Sequence, residues 1–294
     1  MHVGLMAAQG WKREYDGWQP AEAWARTVAL ARQAENLGFE SLWVFDHFHT
    51  VPMAADEITF ESFSTLTALA METSRLRLGH MVICAGFRNP ALTAKMASTI
   101  DVISGGRFEL GIGAGWKEEE WRAYGYGFPT LGERLEALED HLRVIRAIFE
   151  PGRATYDGPY ASVRGAINVP KGIQPRIPII VGGNGPRVTA GLAIRYGDEL
   201  NYVFLSPKEV AERMTAVRAR CEAEGRDPAT LRFSLYVRDE EMRDPGQQRV
   251  DALAAYAEIG LDRIVCFPTR WSPTEEAQAA FAEDCVAAGV SLTA

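Results

Sequence analysis

The sequence predicts an α/β fold, a closed (β/α)8 barrel of the triosephosphate isomerase (TIM barrel) type, and three observations carry that expectation. Short apolar strands alternate with helical patterns along all 294 residues, which specifies parallel strands joined by crossover helices. The strand count comes to eight. No G-x-G-x-x-G turn follows the first strand, where Ala7-Ala8-Gln9-Gly10-Trp11 stands, so an open doubly wound sheet lacks its usual signature. A barrel of this type uses about 250 residues as one domain, and residues 1–294 are read as one such unit.

The expected strands are Val3 to Ala8, Ser41 to Asp46, Leu76 to Ile83, Phe108 to Gly113, Ile177 to Gly182, Glu199 to Phe204, Leu231 to Val237 and Arg263 to Phe267. The helix Pro20 to Gly38 starts on a proline and stops on a glycine, and Pro90 and Pro186 open two others. Leu131, Leu135, Leu138, Leu142, Ile145 and Phe149, spaced by fours and threes, share one helix face that should pack on the barrel. After this fourth helix, Pro151 to Pro178 contains Tyr156-Asp157-Gly158 and several prolines and reads as an inserted hairpin and loop.

Lys plus Arg number 31 against 39 Asp plus Glu, a formal charge of −8 with no long basic cluster, which argues against nucleic acid or an anionic membrane as partner. The four cysteines, Cys84, Cys221, Cys266 and Cys285, lie far apart with no C-x-x-C pair, as expected of reduced thiols in a cytoplasmic protein. The first strand begins at Val3 and no apolar run reaches about 18 residues, so neither an export signal nor a membrane span is expected.

Chemistry concentrates at strand ends. The apolar run Ser41 to Phe45 ends in Asp46, His47 and His49, at the rim where barrel enzymes gather their reactive groups. His47 can exchange a proton near neutrality. Asp46, His47, His49, Asp56 and Glu57 could also be read as metal ligands, but they come from one strand and its loop and show no H-x-H or H-E-x-x-H spacing, so no metal is expected. Gly182-Gly183-Asn184-Gly185-Pro186-Arg187 runs from strand through a glycine-rich turn into a helix, suited to a phosphate because backbone amides and the helix dipole favour anions. In Gly111-Ile112-Gly113-Ala114-Gly115-Trp116-Lys117, small residues leave room for a flat ring. Glu118, Glu119 and Glu120 read as a solvated helix start without a catalytic part. Nothing near Cys84 in sequence would lower its pKa, so it is expected to pack near the rim. Trp11, Tyr15, Trp18, Phe48 and Met53 populate the first loops and could form an apolar mouth for a small-molecule substrate.

Taken together, Leu42 to Phe48, Asn89-Pro90 through Ile103-Ser104-Gly105-Gly106-Arg107, Gly111 to Glu120 and Gly182 to Arg187 resemble the bacterial luciferase-like family, most closely its coenzyme F420-dependent oxidoreductases. The resemblance spans nearly the whole chain. F420 users of that family place Asp-His after the second strand where many flavin mononucleotide (FMN) users carry Glu-His-His, so Asp46-His47-Phe48 favours F420, with FMN-dependent monooxygenation as the alternative and a metal-dependent isomerase or lyase as a more remote one. By this resemblance His47 would be the proton donor or acceptor in hydride transfer, and Asp46 would hold the ring or orient His47. A cis peptide between Met81 and Val82 would back the ring beside Cys84. Ile112, Gly113 and Lys117 would line the cofactor cleft, and Gly182, Gly183, Asn184, Gly185, Arg187 and Val188 would take the phosphate. Sugar-phosphate dehydrogenases of the family carry a catalytic glutamate where this chain has Ala114, which argues against glucose 6-phosphate. A homodimer is also implied.

Overall fold

The computed structural model describes residues 1–268 and 274–292. Its elements follow the expected alternation: β1 His2–Met6, α1 Pro20–Asn36, β2 Ser41–Val44, α2 Ser62–Glu72, β3 Arg77–His80, β4 Ile83–Cys84, α3 Pro90–Ile103, β5 Phe108–Gly113, α4 Glu118–Ala123 and α5 Leu131–Phe149. The hairpin β6 Arg153–Asp157 and β7 Ser162–Ile167 comes next, then β8 Ile179–Gly182, α6 Val188–Tyr196, β9 Glu199–Val203, α7 Pro207–Ala223, β10 Arg232–Tyr236, α8 Asp239–Met242, α9 Gln247–Glu258, β11 Arg263–Cys266 and α10 Glu275–Ala287.

The large sheet runs β3-β2-β1-β11-β10-β9-β8-β5, and β3 also pairs with β5, so the sheet closes into a barrel. Every pairing in it is parallel, and each crossover carries helix to the outside. The hairpin β6–β7 stands apart as a two-stranded antiparallel sheet within the expected insertion.

Local chemistry explains where the helices start. Thr130 and Glu133 form a reciprocal capping box on α5, Ser206 and Glu209 do the same on α7, and Asn89 accepts from the Ala91 and Leu92 amides ahead of Pro90 on α3. Leu138, Leu142 and Ile145 of the α5 stripe are buried in the main core. The expectation that the whole stripe packs on the barrel fails at its first turn, because Leu131 and Leu135 lie above the strand ends and line a cavity.

Inside the barrel Trp43 is fully buried, and an added Cβ on Gly4 or Gly79 would sit within 2.7 Å of its indole, so two glycines on the flanking strands make its space. Below it, at the strand starts, the Arg263 guanidinium lies 5.0 Å from the Trp43 ring and bonds Glu40, Glu109 and Glu199. Burial works against the Glu109 charge, yet Arg263, Arg77 and Arg232 pull its pKa down to about 2. An ion-pair plug therefore closes the N-terminal end, and only the C-terminal end is left for a site.

The third strand differs from the expected Leu76 to Ile83. The ladder stops at His80 and resumes at Ile83 with its register to β5 shifted by one residue, and the Met81–Val82 peptide between them is cis. β1, β2, β9, β10 and β11 stop one or two residues short of their expected C-terminal ends, β8 starts two residues late, and β5 matches its expected range. Among the described residues no helix is long and apolar enough to cross a membrane.

Candidate active site

The C-terminal ends of the strands surround a cavity of about 630 Å³. The chain leaves β2 into it under tight control: the Gln9 side chain donates to the Phe45 carbonyl and accepts from the Phe45 amide, both at 2.9 Å, extending the ladder where the strand has ended. Asp46 and His47 follow, and their side chains diverge.

Asp46 turns into a buried ionic site. Its carboxylate accepts two bonds from Arg88 at 2.7 and 2.8 Å, one from the Cys84 amide at 2.9 Å and one from Ser62 Oγ at 2.8 Å. Burial disfavours its charge, but the Arg88 pair outweighs it and holds the carboxyl below the usual range. The alternative that Asp46 orients His47 is not what the structure shows, because its carboxylate bonds Arg88, Cys84 and Ser62 while His47 Nδ1 meets Glu120.

His47 is oriented by Glu120. Glu120 Oε2 stands 2.7 Å from His47 Nδ1, and Glu120 Oε1 accepts from the Phe48 and His49 amides at 3.0 and 2.9 Å. Glu120 is fully buried. Burial pushes its pKa up, yet the hydrogen bond and charge of His47 and the two amides bring it below its ordinary value. The expected solvated helix start therefore holds only for Glu118 and Glu119, which are exposed; Glu120 faces inward because α4 turns it and Trp121 onto the barrel. The His47 ring lies flat on Trp11, centroids 4.4 Å apart and planes 4° from parallel, and Trp116 meets it edge-on at 5.6 Å. With Nδ1 committed to a carboxylate, Nε2 is the nitrogen left for chemistry.

Opposite His47, the floor is built around Val82. Added Cβ atoms on Gly113 and Gly182 would sit 2.9 Å from Val82 methyl carbons, and one on Gly111 would sit 1.9 Å from the His80 carbonyl oxygen. The expectation that glycines at the end of β5 leave room for a ring is corrected in part: at Gly111 and Gly113 the chain itself uses the space, and the bulged backbone with Val82 presents the floor. Met81, Val82, Cys84, Gly113 and Lys117 line the cavity, as do Gly182, Gly183 and Gly185. Ile112 does not, because its side chain points into the main core. Burial pushes the Cys84 thiol up to about 12, which fits packing.

The glycine-rich turn after β8 is partly occupied by its own bonds. Gly183, at φ +134°, donates its amide to the Asn201 carbonyl at 2.9 Å. The Asn184 side chain donates to the Val203 carbonyl and accepts from its amide, and the Asn184 carbonyl accepts from Arg213. Asn184, Arg187 and Val188 lie outside the cavity wall, the last two exposed, and α6 begins at Val188, just beyond Pro186. Gly185 and Thr189 are the residues of this turn and helix start that face the cavity beside Gly182 and Gly183. Ala114 also lines it and supplies no acid. Of the residues weighed as metal ligands, Asp46 is held by Arg88 and His47 by Glu120, and Glu57 accepts from the Gly17 amide.

A family model described as luciferase-like monooxygenase matches residues 1–263. Among curated proteins, an F420-dependent glucose-6-phosphate dehydrogenase of Kineococcus radiotolerans is 31% identical over 247 residues, covering 81% of this chain and 69% of its own length. A 5,10-methylenetetrahydromethanopterin reductase of Methanolobus tindarius is 27% identical over 254 residues, covering 86% and 70%. Among solved structures, an F420-dependent secondary alcohol dehydrogenase bound to an F420–acetone adduct superposes with a TM-score of 0.81 over 98% of each chain at 19% identity, a likeness of fold.

Proposed function

The chain belongs to the luciferase-like monooxygenase family, and we propose that it is an oxidoreductase passing a hydride between coenzyme F420 and a small organic substrate, with His47 moving the accompanying proton. Relatives named as F420-dependent enzymes support the cofactor. The arrangement of His47 carries the reading: one nitrogen is fixed on a buried carboxylate, and the residue lines a cavity floored by backbone and Val82.

The cavity suits such a cofactor. Its volume falls within the roughly 300–1,000 Å³ of ligand sites, and its floor between Gly113 and Gly182 carries no side chain but Val82. When bound, a deazaflavin supplies a two-electron hydride acceptor or donor. Val82, Met81 and Gly113 would support the ring, and Asp46, with Cys84 and Arg88, would fix the loop behind it. For the phosphate, the Gly183 amide is already donated to Asn201, so the grip would fall to the backbone at Asn184 and Gly185, to Thr189, and beyond the cavity edge to Arg187 and Val188.

The protein's own part is proton management. Hydrogen bonding to the Glu120 carboxylate places the His47 proton on Nδ1 and the lone pair on Nε2, so Nε2 takes a proton from a substrate hydroxyl and returns one to a carbonyl in the reverse direction. The nearby Glu120 charge stabilises the imidazolium formed between these events. Trp11 and Trp116 fix the ring plane and exclude water from it. The free, buried thiols support a cytoplasmic protein, and the family likeness supports one barrel domain over residues 1–294 acting as a homodimer.

Fluorescence titration with F420 and with FMN tests the cofactor. F420 should bind at least about tenfold tighter than FMN; tight FMN binding with negligible F420 binding would instead favour a flavin monooxygenase.

A further inference from the structure

We propose that the substrate of this site is a neutral, largely apolar alcohol or the matching ketone, of the size of a substituted alicyclic or aromatic ring, and not a phosphorylated sugar. The inference rests on the F420 reading above and names what the part of the cavity beyond the floor accepts.

Two observations carry it. Much of the cavity wall is apolar: Trp11, Phe45, Trp116, Phe204, Tyr236 and Leu131 all line it, and the rings of Trp11, Phe45 and Trp116 lie 4.4, 6.4 and 5.6 Å from that of His47. Trp116, Phe204 and Leu131 are exposed, so an apolar rim lies open at the mouth. Burial of such surface stabilises a ligand by about 25 cal/mol per Å², and a sugar hydroxyl placed there without a partner costs free energy instead.

The second observation is the state of the charged groups. A phosphate dianion in a cavity needs a cation or a set of free amides. Among the described residues Lys117 is the only cationic side chain on the wall, and its Nζ is engaged by the Thr50 carbonyl at 3.1 Å and by Glu120 Oε1 at 3.5 Å. Arg88 is held by Asp46 and Glu61 behind the wall. Both cations are thus already paired with carboxylates of the site, and neither is free for a phosphate near His47. One polar function fits, a hydroxyl or carbonyl at His47 Nε2. On oxidation the O–H proton would pass to His47 Nε2 and the C=O bond would form as the carbinol C–H bond breaks, its hydrogen and electron pair leaving as the hydride that bound F420 would accept.

The test uses the F420-loaded protein with cyclohexanol, 1-phenylethanol and glucose 6-phosphate, reading loss of F420 absorbance, and in parallel measures binding of the three compounds by quenching of tryptophan fluorescence. The expected result is kcat/KM at least about 100-fold higher for the apolar alcohols than for the sugar phosphate, with Trp116→Ala raising KM for 1-phenylethanol about tenfold. Preference for glucose 6-phosphate, or no turnover and no binding of either alcohol by a protein that does bind F420, overturns the substrate class while leaving the cofactor reading standing. Failure to bind F420 overturns that reading instead, and the fluorescence comparison then decides the substrate class by itself: binding of the alcohols over the sugar phosphate supports it, and the reverse overturns it.

Discussion

Glu120 Oε2 lies 2.7 Å from His47 Nδ1 across 73 residues of sequence, and the same carboxylate closes the loop after β2 by accepting two backbone amides. One buried acid thus sets both the tautomer of the histidine and the path of the chain that carries it.

Replacing Glu120 by Gln removes the charge that stabilises an imidazolium and leaves one acceptor oxygen where His47 Nδ1 and the Phe48 and His49 amides now use two. Turnover should fall by about 10-fold or more with KM little changed. The decisive readout is the split between kcat and KM: kcat should fall while KM and F420 affinity hold. An unchanged kcat would make Glu120 a packing residue only.

Asp46→Asn should act on stability before chemistry. It leaves the largely buried Arg88 guanidinium without its bidentate partner, and breaking such a pair costs about 3–5 kcal/mol. Thermal unfolding should show a matching loss of several degrees, and a Tm within one degree of the parent, about 0.6 kcal/mol or less, would contradict the structure.

The Val82 cradle can be probed by added methyl groups. Gly111→Ala sets a Cβ 1.9 Å from the His80 carbonyl oxygen, which belongs to the backbone, so it should unfold or severely destabilise the protein. Gly113→Ala meets only a Val82 methyl at 2.9 Å. It should fold, lose F420 affinity by pushing Val82 into the cavity, and recover part of that affinity in the double variant Gly113→Ala with Val82→Ala. Equal behaviour of the two single variants would deny the cradle.

Acid stability follows from two histidines. Burial lowers His80 to about 3 and His141 to about 4, whereas both are near 6.5 when unfolded. The unfolded chain therefore binds more protons between pH 6.5 and 4, and stability should drop there as pH falls, by about 1.4 kcal/mol per unit for each histidine. His80 packs against Phe63, ring centroids 4.3 Å apart and planes tilted by 43°, with neither ring nitrogen bonded, so His80→Leu should flatten the slope by close to half. An unchanged slope measured by denaturant unfolding across that range would count against His80.

The barrel was legible because its parallel strands are continuous apolar runs and its helices carry prolines, caps and a leucine stripe, all local signals. His47 and Asp46 stood out because polar groups ended such a run. Glu120 was not legible: three adjacent glutamates look like a solvated helix start, and only the buried Trp121 beside the third hints that α4 turns that one inward. The glycines of β5 misled for a related reason, since sequence shows that space exists but not that Val82, brought from another strand, fills it. The turn at Gly183 shows the same limit, because the Asn201 carbonyl that takes its amide is fixed only when β8 and β9 pair.

Single-turnover kinetics of His47→Ala loaded with F420 show whether His47 moves the proton that accompanies hydride transfer. F420 affinity should stay within several-fold of the parent and the hydride-transfer rate should fall by about 10²-fold or more; a rate equal to the parent's at saturating substrate would remove His47 from the chemistry.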